Sequence, residues 1–122
     1  MREILFKAKR LDNGEWVGGD FSGKPNGVSY ICPDRINWWI KVDPSTVCRY
    51  TGLKDKNGVR IFEGDILAFT DCEGEEFEYT VIWNDDLSGF MARENELGAW
   101  DVLDEVFREN ARVIGNIHDK EE

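Results

Sequence analysis

The chain has 122 residues, one domain's worth, and its apolar fraction of 41%, with five Trp and seven Phe, supports a real core and excludes disorder. Its 15 Lys/Arg against 25 Asp/Glu give a formal charge of −10 and a pI near 4.6, a field that disfavours a bulk-basic nucleic-acid binder. No apolar run approaches the roughly 18 residues of a membrane span, and M-R-E-I-L-F-K-A-K-R lacks a signal peptide's apolar stretch.

The predicted elements are short strands. Glu3 to Arg10 alternates Ile4, Phe6 and Ala8 with Leu5, Lys7 and Lys9, and Asn13-Gly14 then predicts a type I′ hairpin turn, in which both central residues need positive φ. The return strand is Glu15 to Phe21, and a loop from Ser22 to Gly27 leads to a strand from Val28 to Cys32, ended by Pro33. Trp38-Trp39-Ile40 reads as a short apolar strand and Asp43-Pro44 as a turn. Beyond it, Val47 to Thr51 is strand-like, Lys54 to Gly58 is a turn, Val59 to Phe62 is a strand, and Glu63-Gly64-Asp65 launches Ile66 to Thr70.

Asp71 to Glu76 is an acidic turn centred on Gly74. Phe77, Tyr79, Val81 and Trp83 then alternate cleanly, the strongest strand signal in the chain. A turn over Asn84 to Gly89 precedes a strand from Phe90 to Arg93. Trp100, Leu103, Val106 and Phe107 recur at helical spacing, which predicts one short helix near residues 100–108, and Arg112 to Ile117 is the last strand. Turn signals are too closely spaced for β-α-β units. The class is therefore mainly β: a single domain over 1–122, built as a short-stranded, partly open barrel of the SH3-like or OB-like kind.

Charge is unevenly divided. Residues 1–60 carry 11 basic and 7 acidic residues (net +4), and residues 61–122 carry 4 and 18 (net −14). A solvated acidic surface is the first reading of this division. The sharper one is that neighbouring copies attract through these halves or that the acidic face meets a basic partner, so a homo-oligomer is an expected partner state, with a host or phage protein as another partner. Cys32, Cys48 and Cys72 are odd in number and form no C-x-x-C pair, which points to a reducing cytoplasm and half-buried strand thiols.

Chemistry-bearing motifs are sparse. His118 is the one histidine, expected to be exposed near a loose terminus, and no nucleophile lies close to it in sequence. Asp71, Glu73, Glu75, Glu76 and Glu78 are the one carboxylate cluster, yet Glu76 stands where an EF-hand loop needs Gly, and a strand splits alternate side chains between faces. The cluster reads as a solvated hairpin tip, so no metal, cofactor or catalytic residue is assigned. Trp38 and Trp39 are the candidate interface residues, because adjacent strand positions face opposite ways and one of the two is left for a partner. They could also stack on single-stranded nucleic acid, with Lys24, Arg35, Lys41 and Arg49 for phosphates.

Three blocks carry a resemblance: the opening M-R-E-I-L-F-K-A-K-R with its hairpin, the central stretch from Val42 to Leu67, V-D-P-S-T-V-C-R-Y-T-G-L-K-D-K-N-G-V-R-I-F-E-G-D-I-L, and the closing V-I-G-N-I-H. Together they resemble the YopX family, small phage and prophage proteins of Gram-positive bacteria. The resemblance implies a largely β protein in the bacterial host cytoplasm and assigns no biochemical activity or functional residue. A non-catalytic binding or oligomerising β domain is the expected function. The alternatives are a metal-dependent enzyme or binder acting on nucleic acid, and an acidic mimic of DNA directed at a host protein.

Overall fold

The computed structural model describes residues 6–23, 28–33 and 39–119. The chain folds as two compact units, Met1–Tyr50 and Thr51–Glu122.

The first unit holds β1 (Phe6–Lys9), β2 (Trp16–Gly23), β3 (Ser29–Cys32), β4 (Ile40–Val42) and the start of β5 (Cys48–Lys54), which crosses into the second unit. The strands are antiparallel in the order β4-β3-β2-β1-β5. Pairing also returns from β4 to the end of β1 through an isolated Arg10↔Val42 bridge. Leu11 N–H donates to Lys41 O at 3.2 Å beside it, and Asp43 N–H donates to Lys9 O at 2.9 Å. This thin seam makes the first unit a nearly closed barrel. Period-two alternation puts Ala8, Ile31 and Val42 at 0% exposure inside, with Phe6, Val17, Phe21 and Val47 packed against them. Each fully buried Ile or Val contributes about 2 kcal/mol.

Two local devices hold this unit in shape. Asp43 caps the 3-10 turn Pro44–Thr46 by accepting Ser45 N–H, and Thr46 Oγ1 donates to Asp43 O while accepting Lys9 N–H at 2.8 Å. Gly19, in β2, lies so close to β3 that a Cβ there would sit 2.1 Å from Cys32 O.

The expected two-residue type I′ turn at Asn13-Gly14 is corrected to a four-residue loop. Arg10 N–H donates to Glu15 O, Gly14 N–H donates to Arg10 O, and Gly14 has φ +74° while Asn13 does not have positive φ. One glycine suffices because the loop ends in a bulge that needs a single left-handed residue. Asn13 contributes its side chain instead, accepting Glu15 N–H. Ser22, expected in a loop, lies in β2, and Trp39 precedes β4 rather than joining it.

The second unit contains the rest of β5, then β6 (Arg60–Phe62), β7 (Asp65–Thr70), β8 (Glu76–Asn84), β9 (Gly89–Glu94), β10 (Trp100–Val102), α1 (Glu105–Glu109) and β11 (Ala111–Asn116). Its sheet is antiparallel in the order β10-β9-β8-β7-β11. Ile61, Leu67, Tyr79, Val81, Ala92, Leu103, Phe107 and Ala111 form its core. The Phe107 ring stacks on Phe69 at 4.8 Å and meets the Tyr79 ring edge-on at 5.0 Å, which fixes α1 against the sheet.

The helix is present but shorter than expected, because Trp100–Val102 is a strand paired with β9. Asp104 resets the chain: it is extended, and its side chain accepts Phe107 N–H, so helical backbone begins at Glu105. Of the four apolar residues at helical spacing, only Leu103 and Phe107 are buried. The class is mainly β with one short helix, as the sequence pattern predicts.

A single loop device recurs. At Asp55, N–H donates to Val59 O and the backbone carbonyl accepts Gly58 N–H; Asp71 makes the same pair of bonds with Glu75 and Gly74. The Asp side chain completes each loop, Asp55 accepting from Asn57 and Val59 N–H and Asp71 from Glu73 and Glu75 N–H. Gly58 and Gly74 both have positive φ. The pattern Asp-x-x-Gly-x thus builds a self-contained hairpin loop.

Candidate interaction surface

Three of the expected site residues, Trp39, Lys41 and Arg49, fall among the described residues. Trp38, Lys24 and Arg35 lie outside the described residues. Trp39 is 48% exposed immediately before β4, and Lys41 and Arg49 are exposed. A cationic-aromatic group lies on neighbouring strands β1 and β2, where Lys7 is 4.6 Å and Lys9 5.5 Å from the ring centre of Trp16. Period-two alternation gives the signal, since Lys7 and Lys9 share the face opposite Ala8.

The acidic turn is a folding element. The Asp71 carboxylate is taken up by two backbone amides, and Glu76 pairs with Arg112 at 2.9 Å. Among the described residues, no three His, Cys, Asp or Glu side chains converge as a metal site. His118 is half-buried rather than exposed, in a short 3-10 turn where its N–H donates to Asn116 Oδ1. Cys48 is buried and Cys32 half-buried, but Cys72 is exposed on the acidic turn, not on a strand.

The two edges of the second unit's sheet differ. Along β11, Val113 N–H donates to the Asp55 carboxylate at 2.8 Å and Ala111 O accepts Lys56 N–H at 3.1 Å. Just beyond it, Ile117 N–H donates to Gly64 O at 2.9 Å. That edge is covered. Edge strand β10 pairs only with β9 among the described residues, and all three of its residues are exposed. Trp100, Val102 and nearby Val106 are 43%, 58% and 69% exposed. A groove of about 240 Å³ beside them is lined by Phe69, Asp101, Val102, Asp104, Val106 and Phe107. Arg93 lies 5.5 Å from the Trp100 ring, and the Tyr79 hydroxyl donates to Asp101 at 3.1 Å. Burial chiefly, and then that carboxylate, push the Tyr79 phenol up to about 12.

The central block is rich in buried polar groups. Asp65 is fully buried, with Oδ2 accepting Phe62 N–H at 2.7 Å and Oδ1 accepting the Asn116 amide at 2.9 Å. Asp55, 7% exposed, accepts three backbone amides, and Thr51 Oγ1 donates to Ile61 O. Asn116 belongs to the closing V-I-G-N-I-H, so two distant blocks meet in one buried bond. Residues 6–122 match the family described as YopX protein.

The chain belongs to the YopX family.

No curated protein matches the sequence. In this YopX chain the polar residues Thr51, Asp55, Asp65 and Asn116 of the central and closing blocks are occupied with hydrogen bonding, and the exposed apolar edge at β10 falls outside those blocks. Sequence reasoning missed that edge because Trp100 and Val106 also fit a helical stripe. Asp104, a good N-cap residue between them, was the available signal. No helix among the described residues is long and apolar enough to cross a membrane.

Proposed function

We propose that this YopX-family chain is a non-catalytic binding domain of a phage or prophage that acts in the bacterial cytoplasm and self-associates. The observation that carries the reading is the division of charge between the two units. Met1–Tyr50 holds 8 basic and 6 acidic residues and Thr51–Glu122 holds 7 and 19, so one copy's first unit attracts another's second. Exposed Trp39 supplies an aromatic anchor on the less acidic unit. The engagement of Asp55, Asp65, Asp71 and Glu94 with backbone amides supports binding over acid–base chemistry.

Light scattering at tens of micromolar protein (an order-of-magnitude choice) is expected to show an oligomer that dissociates as salt rises, and Trp39→Ser is expected to shift it towards monomer. A monomer at low salt overturns the reading. Lys7, Lys9 and Trp16 favour nucleic acid as the second reading, and binding of a single-stranded oligonucleotide that weakens with salt and with Trp16→Ala would support it.

A further inference from the structure

We infer that β10 is a docking edge for an extended basic segment of another protein, which adds to the second unit's sheet as a further antiparallel strand. This goes beyond self-association and involves a different surface from Trp39.

The backbone argument comes first. Glu94 N–H donates to Ala99 O at 2.7 Å, so these two residues form a hydrogen-bonded pair in the β9–β10 register. Pairs alternate along an antiparallel ladder, so Trp100↔Arg93 and Val102↔Met91 are the non-bonded positions. Trp100 and Val102 therefore turn their N–H and C=O groups away from β9, towards the open side of the sheet. An incoming strand satisfies all four groups. The contrast with β11 sharpens the point, because there Asp55 and Lys56 already cover the edge.

The side chains specify the occupant. Trp100 and Val102 share one face of β10 and Asp101 is on the other, and the groove lined by Phe69, Val102, Val106 and Phe107 carries the Asp101 and Asp104 carboxylates. A docked strand thus meets apolar surface on one face and, on the other, apolar walls ending in carboxylates. Lysine or arginine fits the second face, its methylene stem against Val106 and Phe107 and its charge at Asp101 and Asp104. Apolar residues fit the first. The segment so described alternates apolar and basic residues. Pairing of β10 with β10 of a second copy would bring acidic residues together, which disfavours that occupant.

The test uses the full chain and the end-blocked peptide Val-Lys-Val-Lys-Val-Lys-Val, followed by amide NMR and hydrogen exchange. Saturable shifts centred on β10, with exchange slowed at Trp100 and Val102, are expected. The exposed substitution Val106→Lys should weaken binding about tenfold through like-charge repulsion without unfolding the protein. The same peptide with Glu for Lys should not bind. No shift in β10 at about 1 mM peptide overturns the inference, the concentration being that of a weak complex. Shifts confined to the Asp71–Glu75 turn do so as well, because they mark attraction to charge alone. Protection of Trp100 and Val102 that grows with protein concentration and without peptide also overturns it, by placing a second copy on the edge. A protein that light scattering finds monomeric leaves the peptide result intact, so the two readings fail separately.

Discussion

The Asn116 side-chain amide donates to the Asp65 carboxylate at 2.9 Å, and the two residues are 2% and 0% exposed. Fifty-one positions separate them, so the first residue of β7 and the last residue of β11 share one buried bond. Asp65→Ala removes the acceptor from both Phe62 N–H and Asn116, and a loss of about 3 kcal/mol is expected; Asn116→Ala is expected to cost about 2 kcal/mol. Urea unfolding of the two variants and the double mutant measures this, and coupling should make the double mutant's loss smaller than the sum.

The two Asp-x-x-Gly-x loops separate local bonding from burial. Asp55→Ala loses three amide contacts in a buried setting, including Val113 N–H, and is expected to cost about 2–3 kcal/mol. Asp71→Ala loses two contacts where water can replace them, so about 1 kcal/mol or less is expected. Chemical denaturation gives the ranking. Faster amide exchange at Val113 in Asp55→Ala, and not in Asp71→Ala, would confirm that Asp55 covers the β11 edge.

Alkaline titration isolates Tyr79. Its phenol has a folded-state pKa near 12 against an ordinary value of 10.0, so the native state favours the protonated form. That stabilisation is complete below about pH 10 and is lost as pH rises towards 12. Tyr79→Phe is expected to be less stable than the parent at neutral pH through the lost Asp101 hydrogen bond, with the difference narrowing above pH 10. Thermal melts of both proteins across this range, with absorbance at the phenolate band, measure the effect.

Gly19→Ala is expected to be among the most damaging small substitutions. A Cβ 2.1 Å from Cys32 O and 2.8 Å from Cys32 C meets backbone, which a rotamer change cannot relieve. A loss of about 3 kcal/mol or more is expected, with separation of β2 from β3 near the Asp20↔Cys32 pair. Circular dichroism melts, and exchange at Cys32 and Asp20, test it. Gly74→Ala, with open space around its Cβ, should show only the smaller cost of its positive φ.

Much of the strand pattern was legible because period-two alternation needs no tertiary information: Tyr79 and Val81 are buried and Glu76 and Glu78 exposed, as their positions in β8 imply. Hairpin positions were legible too, through Asn, Asp and Gly. Turn type was not, since Asn13-Gly14 suits both a two-residue turn and the bulged loop that forms. Over 100–107 two periodicities compete, and sheet pairing of Trp100–Val102 wins over a helix that Asp104 caps only afterwards. Strand edges were not legible: Trp39 is exposed, and the apolar edge of β10 depends on which described strands lack a neighbour, which is a property of topology.

The loop at Asp71 carries its own backbone bonds, lies at the surface and contains Cys72, the exposed one of the three cysteines. Its tip, Cys72 to Gly74, is consequently a place where chain can be inserted or a thiol-reactive probe attached while the sheet stays intact. The matching segment at Lys56 to Gly58 has no such latitude, because Asp55 and Lys56 are bonded to β11. Reporter groups and grafted epitopes belong at the first of these two loops, and changes of loop length across relatives should accumulate there.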